Sequence, residues 1–246
     1  MSSFSHVVAL AVGGEKVTNT TKKHPLGIVG EDVFGGRYHY AFSQAAIGAG
    51  QVVMQSVGVA ANDMDLAVQA AAAVGAQSVS ITTGATASVA NEYADGILYV
   101  NDVDGEGHRY RILNHLADAG STTMVINLYP NDKIKEALTT SSEVGLMKNP
   151  FMDAEIWDAN DIDGAYLGVA PTEVADNAYF WVQDQGEAAV LADGTTMVLG
   201  KSVEPSDSVD GAATNQDTSA ATDHPAIGIC INIPAASGDY GMVRLG

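Results

Sequence analysis

Along most of the chain, apolar and polar positions alternate in short runs broken by Gly, Asp or Pro, which is the period of half-buried strands rather than of helices. The last third shows this best. Tyr179–Gln183, Glu187–Leu191 and Thr195–Gly200 read as three strands of a meander. Asp184-Gln185-Gly186 and Ala192-Asp193-Gly194 read as the tight reversals between them, because Gly tolerates the positive φ that such turns require. Ala226–Ile233 and Tyr240–Leu245 close the chain as a strand pair across Pro234–Asp239. The middle carries the clearest hairpin, Gly96–Asn101 and His108–Leu113 around a loop at Asp102–Gly107, followed by a strand at Val125–Tyr129. Nearer the start, Tyr38, Tyr40 and Phe42 alternate with His39 and Ala41, Gln51–Val57 is a return strand, and Ser78–Thr83 repeats the pattern.

Two segments carry a competing signal. In Asn62–Val74 the Ala content favours helix while the alternation of Leu66, Val68 and Ala70 favours strand; the β-like surroundings tip the reading to strand. Asp132–Leu138 has spacing compatible with one or two helical turns. Phe151–Asp163 reads as a connector, and residues 204–225 as a long Ser/Thr/Asp/Ala loop. The expected fold is mainly β, with antiparallel sandwich or barrel-like lobes, long loops and little helix. Three regions are expected: 1–84, an N-terminal arm and β region; 85–170, a central β lobe; and 171–246, an acidic C-terminal meander lobe.

Composition narrows the function classes. The 246 residues are 46% apolar and 17% charged, with a formal net charge of −19, against a globular norm of roughly 25% charged. Residues 1–148 hold 14 acidic and 9 basic side chains, whereas 149–246 hold 16 acidic ones against Lys201 and Arg244 alone. Such a field repels phosphate backbones, so direct nucleic-acid binding is not expected; the plain alternative is that the charge only keeps the protein soluble. With one cysteine, Cys230, the fold stands on packing rather than on internal disulfides. Val7–Val12 is short for a signal-peptide core, and Leu66–Ala76 is shorter than the roughly 20 residues of a membrane span, so no membrane insertion is expected.

No motif carries clear chemistry. Asp102, Asp104, Glu106 and Gly107 match the opening of a calcium loop, but Leu113 stands where the bidentate carboxylate belongs, and an acidic hairpin loop is the simpler reading. Asp158, Asn160, Asp161 and Asp163 fit no standard ligand spacing. Gly200-Lys201-Ser202 resembles the end of a phosphate loop, yet Gly194 lies one residue too far upstream and Pro205 blocks the helix. The six histidines are scattered, and Cys230 sits in an apolar run as a small buried hydrophobe. The expectation is therefore no catalytic residue, no metal and no cofactor. Candidate partner contacts are Lys16, Lys22 and Lys23, in a polar loop that is either solvated or an arm docking on an acidic partner, together with Tyr179 and Trp181. Three consecutive aromatics, Tyr179-Phe180-Trp181, require burial on both sides of a strand, either in a central sheet layer or against another chain.

From about Ala85 onward the chain resembles virion structural proteins of tailed double-stranded DNA bacteriophages, especially capsid decoration or cement proteins. The resemblance is carried by Asn91–Asn101 with the Gly105–Ile112 hairpin, by Tyr179–Gln183, and by Ala226-Ile227-Gly228 with Tyr240–Leu245, and it spans about two thirds of the sequence. It implies a non-enzymatic protein on the outer surface of the capsid, made in the host cytoplasm. Its partners would be copies of itself, as a trimer, and the major capsid protein. A net charge of −19 agrees with placement outside the shell, away from packaged genome. Two alternatives stay open: a tail, baseplate or head-fibre component with an adhesin or glycan-binding role, and a glycan or cell-wall hydrolase using two of the many carboxylates.

Overall fold

The computed structural model describes residues 7–56, 58–160, 164–194, 197–217, 224–234 and 238–246. Among them, strands dominate and the only helical turns are short 3₁₀ pieces at Gly14–Lys16 and Ala60–Asn62. The fold is mainly β, as the alternation predicts. No helix among the described residues is long and apolar enough to cross a membrane.

The strands are β1 (Val7–Ala9), β2 (Val29–Glu31), β3 (Arg37–Ser43), β4 (Val52–Met54), β5 (Leu66–Ala67), β6 (Ser78–Thr82), β7 (Ile97–Asp102), β8 (Arg109–Asn114) and β9 (Thr123–Leu128). They continue as β10 (Glu143–Met147), β11 (Glu155–Ile156), β12 (Tyr166–Val169), β13 (Ala178–Leu191), β14 (Ser202–Pro205), β15 (Ala213–Asn215), β16 (Gly228–Asn232) and β17 (Tyr240–Leu245). They fall into two compact units rather than three consecutive lobes. One unit combines residues 1–56 with 150–246, and the other, 57–149, is inserted between β4 and β11 of the first. Boundaries at residues 84 and 170 are not where the chain divides. The first unit is assembled from strands more than 90 residues apart in sequence, and a sequence-local reading does not show which strands pair.

The inserted unit is a nearly closed antiparallel barrel with strand order β5-β10-β7-β8-β9-β6. An antiparallel bridge between Val68 and Ile81, with the Gln69 N–H donating to the Ser80 carbonyl at 2.8 Å, brings the two end strands together. Inward positions alternate along each strand: Val79 and Ile81, Leu98 and Val100, Tyr110 and Ile112, Met124, Ile126 and Leu128, Val144 and Leu146, all buried in one core. The hairpin expected at 96–113 is β7–β8, and Asn62–Val74 supplies β5 as a strand. The expected helical turns at 132–138 do not form. Leu138 exchanges backbone hydrogen bonds with Ala72 at 2.9 and 3.0 Å, and Ile134 with Gly75 and Ala76 at 2.8 and 3.1 Å, while burying both side chains in the barrel core outweighs a weak local preference.

The other unit is built around β13, in an 11-stranded sheet ordered β1-β2-β3-β13-β17-β16-β14-β15, with β12, β4 and β11 branching from it. All its pairings are antiparallel except β1 with β2 and a bridge between Ala192 and Ala213. Residues 184–186 are not a turn: the chain runs through them as a single 14-residue strand. The ladder to β3 shifts register between Gln183 and Gln185, and Gly186, at φ 97°, is left-handed as in a bulge. The expected strand at Thr195–Gly200 is absent in its described part, where Leu199 and Gly200 form a turn; Thr195 and Thr196 lie outside the described residues.

Two-sided burial of the aromatic run is met inside the chain. Phe180 and Val182 pack with Ala41, Val53 and Leu167 on one face of β13, and Trp181 packs with Leu10, Leu26, Tyr38 and Tyr40 on the other. Past the bulge, Ala188 and Val190 enter a third cluster with Val203, Cys230 and Val243.

Candidate functional site

The bulge organises the first unit's polar chemistry. It turns the Asp184 carboxylate toward β3, where Arg37 donates to it from Nε at 3.1 Å and from a terminal nitrogen at 2.6 Å. His39 Nε2 lies 3.3 Å from the same carboxylate, and its Nδ1 is 3.1 Å from the Gly27 carbonyl. The Phe151 ring stacks on the imidazole with centroids 4.8 Å apart. The hydrogen bond with Asp184 raises the His39 pKa above its ordinary value, against the effect of burial. Burial alone would raise Asp184, but the hydrogen bonds from His39 and Arg37 outweigh it and hold the carboxyl below its usual range. Among the described residues, no hydroxyl or thiol nucleophile is hydrogen-bonded to this acid–imidazole–guanidinium cluster: Asp184 meets Arg37 and His39, and His39 meets the Gly27 carbonyl. Its evident work is to fix the bulge.

Above the bulge lies a half-open groove of about 990 Å³. Its floor is β13 from Gly186 to Ala189 and the outward residues Tyr240, Met242 and Arg244 of β17. One wall is the tip of the β2–β3 hairpin, with Phe34 82% exposed, and the other is formed at Ala49 and Gly50. Asp32 is tied down in that hairpin: its carboxylate accepts from the Tyr38 hydroxyl at 3.0 Å and from the N–H groups of Phe34 and Gly36 at 2.8 and 2.9 Å. Burial opposes ionisation there, but the Gly36 and Phe34 amides win and keep the carboxyl low, the reverse of what a general acid needs.

The inserted barrel carries a different surface. Around a cavity of about 620 Å³, Leu116 and Val125 stand beside Asn91, Asn114 and Asn127, with no ionised residue in the lining. Leu116 is 82% exposed, Val89 65% and Val125 47%. The segment around Val89 is tied alongside, since Ser88 bridges to Asp118 and the Asn91 N–H donates to the His115 carbonyl at 3.2 Å, while the Val89 N–H donates to the Glu92 carboxylate at 3.1 Å. Beneath the patch, His115 is buried in the neutral form: Nε2 accepts the Tyr93 N–H at 3.0 Å and Nδ1 lies 2.9 Å from the Leu116 carbonyl. Burial lowers its pKa more than the Leu116 carbonyl, Glu92 and Asp118 raise it.

The residues singled out in the sequence do not converge. Lys16 ends the first 3₁₀ turn at the rim of the groove, exposed, 4.0 Å from Glu15. Lys22 and Lys23 are exposed in a loop that is pinned rather than free: Asn19 exchanges backbone hydrogen bonds with Tyr179 at 2.7 and 2.8 Å, and the Lys23 N–H donates to the Tyr40 hydroxyl at 3.1 Å. Tyr179 is half-buried against Tyr40 and Phe42, and Trp181 is 4% exposed, so its ring faces the core and not a partner. Of the acidic hairpin loop, Asp104 accepts from the Thr139 hydroxyl at 2.8 Å and Asp102 from the Val103 N–H at 2.8 Å. No group of three or more His, Cys, Asp or Glu placed to hold a metal ion occurs among the described residues; Asp161 and Asp163 of the second acidic cluster lie outside them. Cys230 is buried, and burial raises its thiol pKa. The groove and the barrel patch were missed because each joins residues far apart in sequence, and only the pairing of Phe34 with two following glycines hinted at an exposed aromatic tip. No known protein family, curated protein or solved structure matches the chain.

Proposed function

We propose that this chain is a virion structural protein that decorates the outside of a tailed-phage capsid and cements neighbouring subunits, as a homo-oligomer and without catalysis. The observation that carries the reading is the patch on the inserted barrel. Leu116 and Val125 expose apolar surface among the amides of Asn91, Asn114 and Asn127, in a lining without ionised side chains, the composition of an interface centre rather than of ordinary surface. The sequence resemblance supports the same role, and the net charge of −19 favours a site outside the shell. Binding to assembled shell but not to its separate parts stabilises the shell by mass action, and several contacts per oligomer raise the effective affinity of each.

The test is to image purified particles decorated with the wild-type chain and with Leu116→Asp. Leu116 is 82% exposed, so the charge leaves the barrel core intact while placing a carboxylate in the contact. Density on the outer capsid that is lost in the variant is the expected result. Density at the tail, or full capsid occupancy by the variant, refutes the assignment.

A further inference from the structure

We propose that the groove over the β13 bulge is a binding site for a neutral oligosaccharide. The argument begins with what uncovers it. β3 accompanies β13 only as far as Gln185, whereas β17 pairs with Gly186–Leu191 along the other flank. On the uncovered flank, the next main-chain contact is the Leu191 N–H donating to the Gly50 carbonyl at 2.9 Å. From the Gly36 corner beside Gly186 to the Gly50 corner beside Leu191 is five strand steps, about 17 Å, room for a few pyranose units laid end to end.

The walls suit a sugar. Phe34 stands at one end of the groove, 82% exposed, and Tyr240 at the other, 53% exposed. An aromatic face packs against the C–H face of a pyranose ring as it does against other apolar surface. Tyr240 has a fixed seat: Gly50, at φ 73°, leaves so little space that a Cβ there would lie 2.6 Å from its ring. Between the aromatics lie planar polar groups, the Gln185 amide, the Glu187 carboxylate and the Arg244 guanidinium, which can donate to and accept from vicinal hydroxyls. Arg244 and Glu187 hold each other at 3.1 Å, so both are pre-positioned.

Charge argues for a neutral ligand. Lys16 pairs with Glu15, Arg244 with Glu187, and Asp32 is hydrogen-bonded within its hairpin. The five charged side chains of the lining, Glu15, Lys16, Asp32, Glu187 and Arg244, sum to −1, and each cation has a carboxylate beside it, so the groove does not favour a phosphate, sulfate or uronate. An added peptide strand fits less well. Alternation along β13 sends the main-chain groups of 187, 189 and 191 to the open flank, but the Glu187 carbonyl already accepts from Gln183 Nε2 at 3.2 Å and the Leu191 N–H is taken by Gly50. Among the described residues of this flank Ala189 alone keeps both main-chain groups open, a short ladder to hold a strand.

The proposal is independent of the virion assignment and is tested in solution on the intact chain. The protein is applied to a broad array of neutral and anionic glycans, and neutral hits are titrated by calorimetry beside a heparin hexasaccharide and an extended (Thr-Val)₃ peptide. Saturable binding of a neutral oligosaccharide, weakened about tenfold each by Phe34→Ala and Tyr240→Ala, is the expected result. Phe34 is exposed enough that its variant folds normally, which keeps the test valid should Tyr240→Ala disturb the Gly50 corner. Absence of neutral hits, preference for heparin or the peptide, or a hit indifferent to Phe34→Ala overturns the proposal.

Discussion

Replacing Trp181 by Ala tests whether the central aromatic of β13 acts through the core or through a partner. The indole is 4% exposed among Leu10, Leu26, Tyr38 and Tyr40, and truncations of this kind cost about 3–5 kcal/mol. With a urea m-value of about 2 kcal/mol/M, the midpoint falls by about 2 M. Trp157, the other tryptophan, lies in the same unit and remains as the fluorescent probe, so the transition reports on this unit and not on the inserted barrel, which has no tryptophan. Gly30 sharpens the experiment. A Cβ there would approach the Trp181 ring to 2.8 Å and a Leu10 methyl to 3.0 Å, so Gly30→Ala alone overpacks and costs about 1–3 kcal/mol. In the Trp181→Ala background the added methyl enters vacated space, and the double variant is more stable than the sum of its parts by about 1 kcal/mol or more. Strict additivity, or a Trp181→Ala midpoint within about 0.5 M of wild type, refutes the packing described for this face.

Two histidines give stability opposite pH dependences. His115 has a folded pKa below its unfolded value, so its share of barrel stability is full above the unfolded value of about 6.5 and is lost as pH falls toward the folded value, when Nε2 gains a proton that confronts the Tyr93 N–H. Thermal melts of wild type and His115→Gln between neutral and mildly acidic pH check this, the variant showing the shallower dependence. His39 has a raised folded pKa, so its share is present below the unfolded value and is lost as pH rises through the folded one; Asp184→Asn removes most of that slope. The Cys230 thiol reacts with a soluble disulfide reagent only at the rate of unfolding, and rapid labelling under native conditions contradicts its burial. Residues 58–149 expressed alone fold cooperatively, because the barrel has its own core and its ends meet: a Cβ on Gly58 would sit 3.8 Å from that of Lys148. A fragment with random-coil amide dispersion rules this out.

Strand alternation made much of this fold legible. Tyr38, Tyr40 and Phe42 as β3, the β7–β8 hairpin, Ser78–Thr82 and the closing β16–β17 pair all follow from period two with apolar residues turned inward. What alternation does not carry is partnership. The Ala72–Leu138 bridge overrides a weak helical signal from 66 residues away, and the insertion of one unit into the other depends on which strands pair, not on what any strand contains. The candidate sites were illegible for the same reason. Phe34 and Tyr240 are 206 positions apart in the sequence and meet the same groove only because β3 and β17 flank β13.

The misread stretch at residues 184–186 and the groove have one cause. Asp-Gln-Gly reads as a reversal because glycine after polar residues permits a positive φ, and Gly186 does adopt φ 97°. A turn and a bulge make the same local demand, so sequence alone does not separate them. Here Asp184 decides: held by Arg37 and His39, it anchors the bulge to β3 and lets the strand continue to Leu191 instead of folding back. A Cβ on Gly186 would come within 3.0 Å of the Gly36 Cα, in a backbone conformation that side chains resist. Gly186→Val therefore destabilises the unit by about 2 kcal/mol or more and also parts the hairpin tip from the groove floor. If calorimetry finds a stability loss and glycan binding undiminished in the folded fraction, the bulge supports the fold but does not shape the groove.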